Sequence, residues 1–228
     1  MIVSHSRRIV FFSFPKTGSE TLRSLLAPIG EEPVLPYHSR SRLYPFYPHM
    51  PPREAEAVFR ARGWDFSAYR RITVVRNPYP RLVSLYRMIL EADGLWRLRR
   101  RLGLGVPDFE RWLVSTRPDG RGGGGRAHQR WRRFGTWSAR AWLHDAKGRP
   151  LVTDVLRLER LATDLLPLLA DLGLAVPAQL PMINARPRVD WRSWYGEMTR
   201  ALIARRYAWD LQTFYPEERP DELLPRAA

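Results

Sequence analysis

The sequence predicts an α/β fold, a three-layer arrangement in which a central parallel sheet is flanked by helices. Two observations carry this. Ile9-Val10-Phe11-Phe12-Ser13-Phe14 feeds a helical pattern through a short loop, and Ile72-Thr73-Val74-Val75 does the same through Arg76-Asn77-Pro78. Repeated strand–loop–helix order indicates βαβ units, and strands with continuous apolar character need cover on both faces. With 228 residues, no internal repeat and no linker composition, residues 1–228 are read as a single domain.

The elements follow in order. Arg8 to Phe14 is a buried strand. A helix starts with Ser19 as its cap, carries Leu22, Leu25 and Leu26 on one face, and ends at Pro28 and Gly30. Glu31 to Pro52 has no periodicity and reads as a long loop of the kind that often carries function. Arg53 to Arg62 is a short helix, Ile72 to Val75 the second strand, and Pro80 opens a helix to about Ala92. Arg97 to Gly105 is basic and helical or irregular. Four consecutive glycines make residues 119–127 a mobile loop. A hairpin-like entry around Asp145–Gly148 precedes a strand at Val155–Leu158, a helix at Glu159–Leu172 closed by Gly173, and a final helix from Gly196 to Phe214.

Composition narrows the chemistry. There is no cysteine, which excludes disulfides, thiolate metal sites and cysteine nucleophiles and fits a reducing compartment. Ile9–Phe14 is too short for a secretory signal, and no stretch approaches the roughly 18 apolar residues of a membrane span, so a soluble cytoplasmic protein is expected. The net charge of +15 implies anionic partners. Lys16 and Lys147 are the only lysines among 38 basic residues, which raises the question of what a compact point charge does at Lys16 that an arginine fork would not.

Lys16 lies in Phe14-Pro15-Lys16-Thr17-Gly18-Ser19-Glu20-Thr21-Leu22, between the first strand and its helix. A helix N-terminus offers unpaired N–H groups and a positive dipole end, glycine allows close approach, and the hydroxyls of Thr17, Ser19 and Thr21 add donors: a recipe for a phosphate. The order of lysine and glycine differs from a Walker A loop. An ordinary capped helix is the plain alternative. At the second site, Arg76 ends a strand and Ser84 follows on the next helix, a pair suited to another phosphate, or else an ion-paired arginine and a packing serine. Two anion sites at the carboxyl ends of two strands suit a nucleotide with phosphates at both 5' and 3' positions.

These stretches resemble the sulfotransferase superfamily that uses 3'-phosphoadenosine 5'-phosphosulfate. Residues 15–22 are similar to its 5'-phosphosulfate loop, and Val75-Arg76-Asn77-Pro78-Tyr79-Pro80-Arg81-Leu82-Val83-Ser84 to its 3'-phosphate motif. Asp154–Leu161, Leu180–Asn184, Trp191–Tyr195 and Tyr207–Asp210 resemble the later half of its carbohydrate-type branch. The resemblance implies a P-loop-like fold and transfer of a sulfuryl group to a hydroxyl, with a glycan as acceptor and without metal; the net charge of +15 favours an acidic glycan. It also implies nucleotide contacts from Lys16, Thr17, Gly18, Ser19, Glu20, Thr21, Arg76, Ser84 and Arg188. Glu20 departs from the pattern, standing where the family has a hydroxyl residue, and so does the Arg186-Pro187-Arg188 segment.

In line with the resemblance, Lys16 stabilises charge on the leaving oxygen, and a base takes the acceptor's proton. His49, shortly before a helix and the second motif, is the first candidate for the base, with His38 second and Glu20 third; an exposed loop histidine is the plain alternative for His49. His5 lies ahead of the predicted fold. Two rival readings remain. A P-loop-type nucleotide kinase would need a metal-binding carboxylate where Arg76 stands. A basic nucleic-acid-binding protein is suggested by Arg97–Arg101 and Arg130–Arg133, although no specific nucleic acid is expected.

Overall fold

A computed structural model describes residues 1–120, 129–175 and 190–217. Its strands are β1 (Ile2–Ser4), β2 (Ile9–Phe12), β3 (Arg70–Val75) and β4 (Asp154–Arg157). Its helices are α1 (Ser19–Leu26), α2 (Pro52–Ala61), α3 (Pro78–Ala92), α4 (Gly94–Arg101), α5 (Phe109–Ser115), α6 (Arg130–Gly135), α7 (Ala139–Leu143), α8 (Leu161–Asp171), α9 (Glu197–Arg206) and α10 (Ala208–Phe214). The chain divides into two compact units, Met1–Arg76 with Trp142–Arg186, and Asn77–Ala141 with Pro187–Ala228.

The first unit holds the sheet, in the order β1-β2-β3-β4. β2, β3 and β4 run parallel, with Phe11 opposite Ile72 and Thr73 opposite Val155. The expected parallel sheet therefore becomes a mixed one, because β1 pairs antiparallel with β2 through Val3 and Val10. Three residues are too few to show a period in sequence; β1 exists because its partner supplies the hydrogen bonds. His5, expected ahead of the fold, sits in the connecting turn, where its ring bonds to the Tyr69 hydroxyl at 2.8 Å and to Glu32 at 2.9 Å.

Alternation sorts the strand residues between two faces. Ile9, Phe11, Ile72, Val74 and Leu156 pack with Leu22 and Leu26 of α1 and Leu161, Leu165, Leu168 and Leu169 of α8. On the other face Phe12 meets Phe66, which packs on Phe59 of α2, and the Trp142 indole donates to the Thr73 hydroxyl at 3.3 Å. Both faces are covered, as continuous apolar strands require. At the edge, Arg70 ties β3 to Asp154 of β4 and to Asp171 at the end of α8.

The second unit packs around α3, whose Tyr79, Leu82, Leu85, Tyr86 and Ile89 form a core with Phe109, Trp112, Tyr195, Ile203 and Tyr207. The single helix expected over 196–214 is broken at Tyr207 into α9 and α10. No proline or glycine marks the break; the Tyr207 hydroxyl is held by the Thr136 carbonyl at 2.6 Å. Arg81 is fully buried beneath this corner and donates to the carbonyls of Gly135 (3.3 Å) and Trp137 (2.7 Å). Asp210, also buried, accepts from the N–H groups of Ala139 (2.6 Å) and Arg140 (3.3 Å), and burial raises its pKa. Arg81→Met should cost about 3 kcal/mol, because it strands two carbonyls and removes the positive charge that offsets Asp210. Urea denaturation checks this, and an unchanged midpoint would contradict the role assigned to Arg81.

Candidate functional site

Parallel pairing of β2 with β3 brings the segments that follow their carboxyl ends to the same edge of the sheet. After β2 the chain turns sharply. Lys16 and Gly18 both adopt left-handed backbone conformations, at φ 67° and 69°. The Thr17 hydroxyl between them donates back to the Phe14 carbonyl at 2.8 Å. This corrects one expectation: Thr17 is fully buried and its hydroxyl donates inward, to the main chain of its own loop. The expected cap at Ser19 is also corrected. Gly18 is the cap residue, and Ser19 is the first residue of α1. A left-handed cap is tolerated there because glycine has no Cβ.

After β3, the Arg76 guanidinium reaches the Lys16 carbonyl at 3.3 Å. The structure thus brings together the two cationic residues singled out in the two motifs. Lys16 and Arg76 are half-buried, beside the amino end of α1, where Ser19 and Thr21 are buried. Glu20, in the first turn, is paired with Arg23 at 2.8 Å. An acidic residue is at home in that position electrostatically. The sequence signal for this pair is the spacing of three between Glu20 and Arg23.

His49 lies 36 residues from Ser13 in sequence but bonds its carbonyl through Nδ1 at 2.7 Å. A carbonyl only accepts, so Nδ1 carries the hydrogen and Nε2 keeps a free lone pair. Burial, aided by the positive charges of Arg23 and Lys16 and opposed by the Ser13 carbonyl, lowers the ring's pKa from 6.5 to about 4. His49 also has a left-handed backbone, at φ 60°. Among the described residues only Arg8, Lys16 and His49 are non-glycine residues of this kind, and Arg8 belongs to the β1–β2 turn. Such conformations cost on the order of 1 kcal/mol each and cluster at functional sites.

The other candidates are placed differently. His38 is exposed on a single helical turn at Tyr37–Ser39. Ser84 is half-buried on α3 and belongs to the second unit. Arg188 lies outside the described residues, as do residues 121–127 of the glycine-rich segment. Beside α1 a cavity of about 390 Å³ is lined by Glu20, Arg23, Ser24 and Glu32, among others. Among the described residues no group of three or more His, Asp or Glu side chains is gathered as metal ligands would be, and no helix is long and apolar enough to cross a membrane.

Neither the known family models nor the curated proteins contain a match to this chain. Among solved structures, a sulfotransferase from Alicyclobacillus acidocaldarius matches with 19% identity and a TM-score of 0.37, covering 71% of this chain. The chain spans 59% of that protein's length. The likeness is distant.

Proposed function

We propose that this chain is a sulfotransferase whose first unit carries the reacting groups, within one catalytic domain formed by the whole chain on a P-loop-like plan. The observation that carries the reading is the meeting of Lys16, Arg76 and the amino end of α1 at one sheet edge, close to a histidine held neutral.

The donor, 3'-phosphoadenosine 5'-phosphosulfate, supplies a sulfuryl group, and its 5'-phosphate leaves as the acceptor oxygen forms the new S–O bond. The residues present suit such an anion: N–H groups at the start of α1, the Lys16 ammonium and the Arg76 fork all favour negative charge. Ser84 enters as a contact for the 3'-phosphate from its spacing to Arg76 in the sequence. Arg188 enters in the same way as a further nucleotide contact. Lys16 holds its charge toward the leaving oxygen, where a point charge can follow a single developing anion. His49 Nε2 receives the proton of the acceptor hydroxyl, while the Nδ1–H bond to Ser13 keeps the ring oriented. The depressed pKa keeps that lone pair available throughout the neutral range. His38 is less suited because it is exposed, and Glu20 because it is already paired with Arg23. A carbohydrate acceptor enters from the resemblance of Asp154–Leu161, Trp191–Tyr195 and Tyr207–Asp210 to the carbohydrate-type branch.

Calorimetry with 3'-phosphoadenosine 5'-phosphate, AMP and ATP tests the reading. The doubly phosphorylated nucleotide should bind at least tenfold more tightly than AMP, since a phosphate held by charged donors is worth about 1.5–3 kcal/mol. Ser84→Ala should erase part of that preference and leave AMP unaffected. Equal affinity for all three nucleotides would refute the proposal, and preference for magnesium-bound ATP would favour a kinase.

A further inference from the structure

We propose that the outer face of α4 docks on an anionic lipid bilayer. This helix is firmly seated in the second unit. Asp93 caps it by accepting from the Trp96 N–H at 3.0 Å, and buried Arg132 pairs with Asp93 at 2.6 Å while lying over the Trp96 ring. Trp96 packs inward, on the core that contains Tyr86.

Away from Trp96, Leu95, Leu98 and Leu102 recur at a spacing of three and four, so they form one stripe. They are 65%, 52% and 64% exposed, and Leu104, two residues further on, is exposed as well. A helix anchored by its aromatic residue has no need to hold a leucine stripe in water, and contiguous exposed apolar surface marks an interaction site. Arg97, Arg99, Arg100 and Arg101 are all exposed; at about 100° per residue Arg99 and Arg101 fall on either side of the stripe, and no acidic residue lies between Gly94 and Arg101. Leucines bordered by guanidinium groups form the pattern of a helix lying in a membrane interface: the leucines enter the acyl boundary and the arginines meet phosphates.

Charge selects this occupant over the others. A second copy would bring an identical arginine strip against the first, and like charges repel. Nucleic acid would satisfy the arginines but leave the leucines without partners. The anionic bilayer satisfies both at once.

Sedimentation of the full chain with vesicles tests this, using phosphatidylcholine alone and phosphatidylcholine mixed with phosphatidylglycerol. The chain should bind the mixed vesicles and leave the neutral ones. L95Q/L98Q/L102Q and R99Q/R101Q should each lower that binding about tenfold or more. All five side chains are exposed, so thermal melts should stay near wild type, and the single variant L98Q with a smaller loss provides a check that does not depend on the multiple variants folding. Full binding by the leucine variant would reduce the effect to charge adsorption and overturn the proposal. Absence of binding to the mixed vesicles would overturn it as well. So would a dimer in sedimentation velocity that the leucine variant dissociates, because the stripe would then belong to a second copy.

Discussion

Lys16→Ala should lower turnover by about a thousandfold and leave the affinity for 3'-phosphoadenosine 5'-phosphate within about tenfold of wild type. The reason is where charge appears. In the proposed complex the ground-state phosphates are spread over several donors, the start of α1 and Arg76 among them. In the transition state new negative charge grows on one bridging oxygen, and a single positioned cation contributes most there; removing one such group costs about 10²–10³ in rate. Lys16→Arg is the more searching variant. It preserves the charge but replaces a point donor with a planar fork on a left-handed backbone residue at φ 67°, so nucleotide affinity should survive while most of the turnover is lost. Single-turnover transfer from labelled donor, read beside calorimetric affinity, separates the two effects. Wild-type turnover in Lys16→Ala would remove Lys16 from the chemistry.

His49→Asn should reduce turnover by about 10²–10⁴ without changing nucleotide affinity. Asparagine suits the test for two structural reasons. Its amide can donate to the Ser13 carbonyl as Nδ1–H does, and it accepts a left-handed backbone better than most residues. What it lacks is a basic lone pair. The acid limb of kcat/KM for the wild-type enzyme should fall near the free-enzyme value of about 4, well below the 6.5 of an ordinary histidine. The limb of kcat should lie higher, because bound phosphosulfate places negative charge near the ring and favours its proton. Stability follows the same group. Between pH 6.5 and 4 the unfolded histidine binds a proton that the folded one does not, so His49 lowers stability as pH falls through that window and has no such effect above it. At one unit per 1.4 kcal/mol, and allowing for the ring's partial exposure, the loss is about 2 kcal/mol, and His49→Asn should abolish it. An acid limb at 6.5 in kcat/KM, or unaltered turnover in His49→Asn, would contradict the assignment.

The local signals were legible where local physics dominates. β2 and β3 were readable because β-branched and aromatic runs end at Pro15 and at Asn77-Pro78, and the helical reading after each loop was correct. Boundaries drifted where a special conformation replaced the usual cap. A left-handed Gly18 leaves no side-chain signature, so the sequence points to Ser19 as the cap in its place. β1 and the break at Tyr207 were invisible because each exists through partners far along the chain, Val10 for the first and Thr136 for the second. Arg81, which lies inside the second motif, reads as one more surface arginine until the fold buries it against two carbonyls.

From sequence alone came the α/β class, the two strand-to-helix loops, and the identity of Lys16, Arg76 and His49 as residues to watch, since each depends on residue type and short spacing. Tertiary structure decided that Arg76 reaches Lys16, that Thr17 donates inward, and that His49 binds Ser13 with its other nitrogen left basic. Those facts depend on strand order and on contacts across tens of residues. Hydrogen-bond direction and burial, which fix a proton's position and a ring's pKa, come into being only when the distant segments meet.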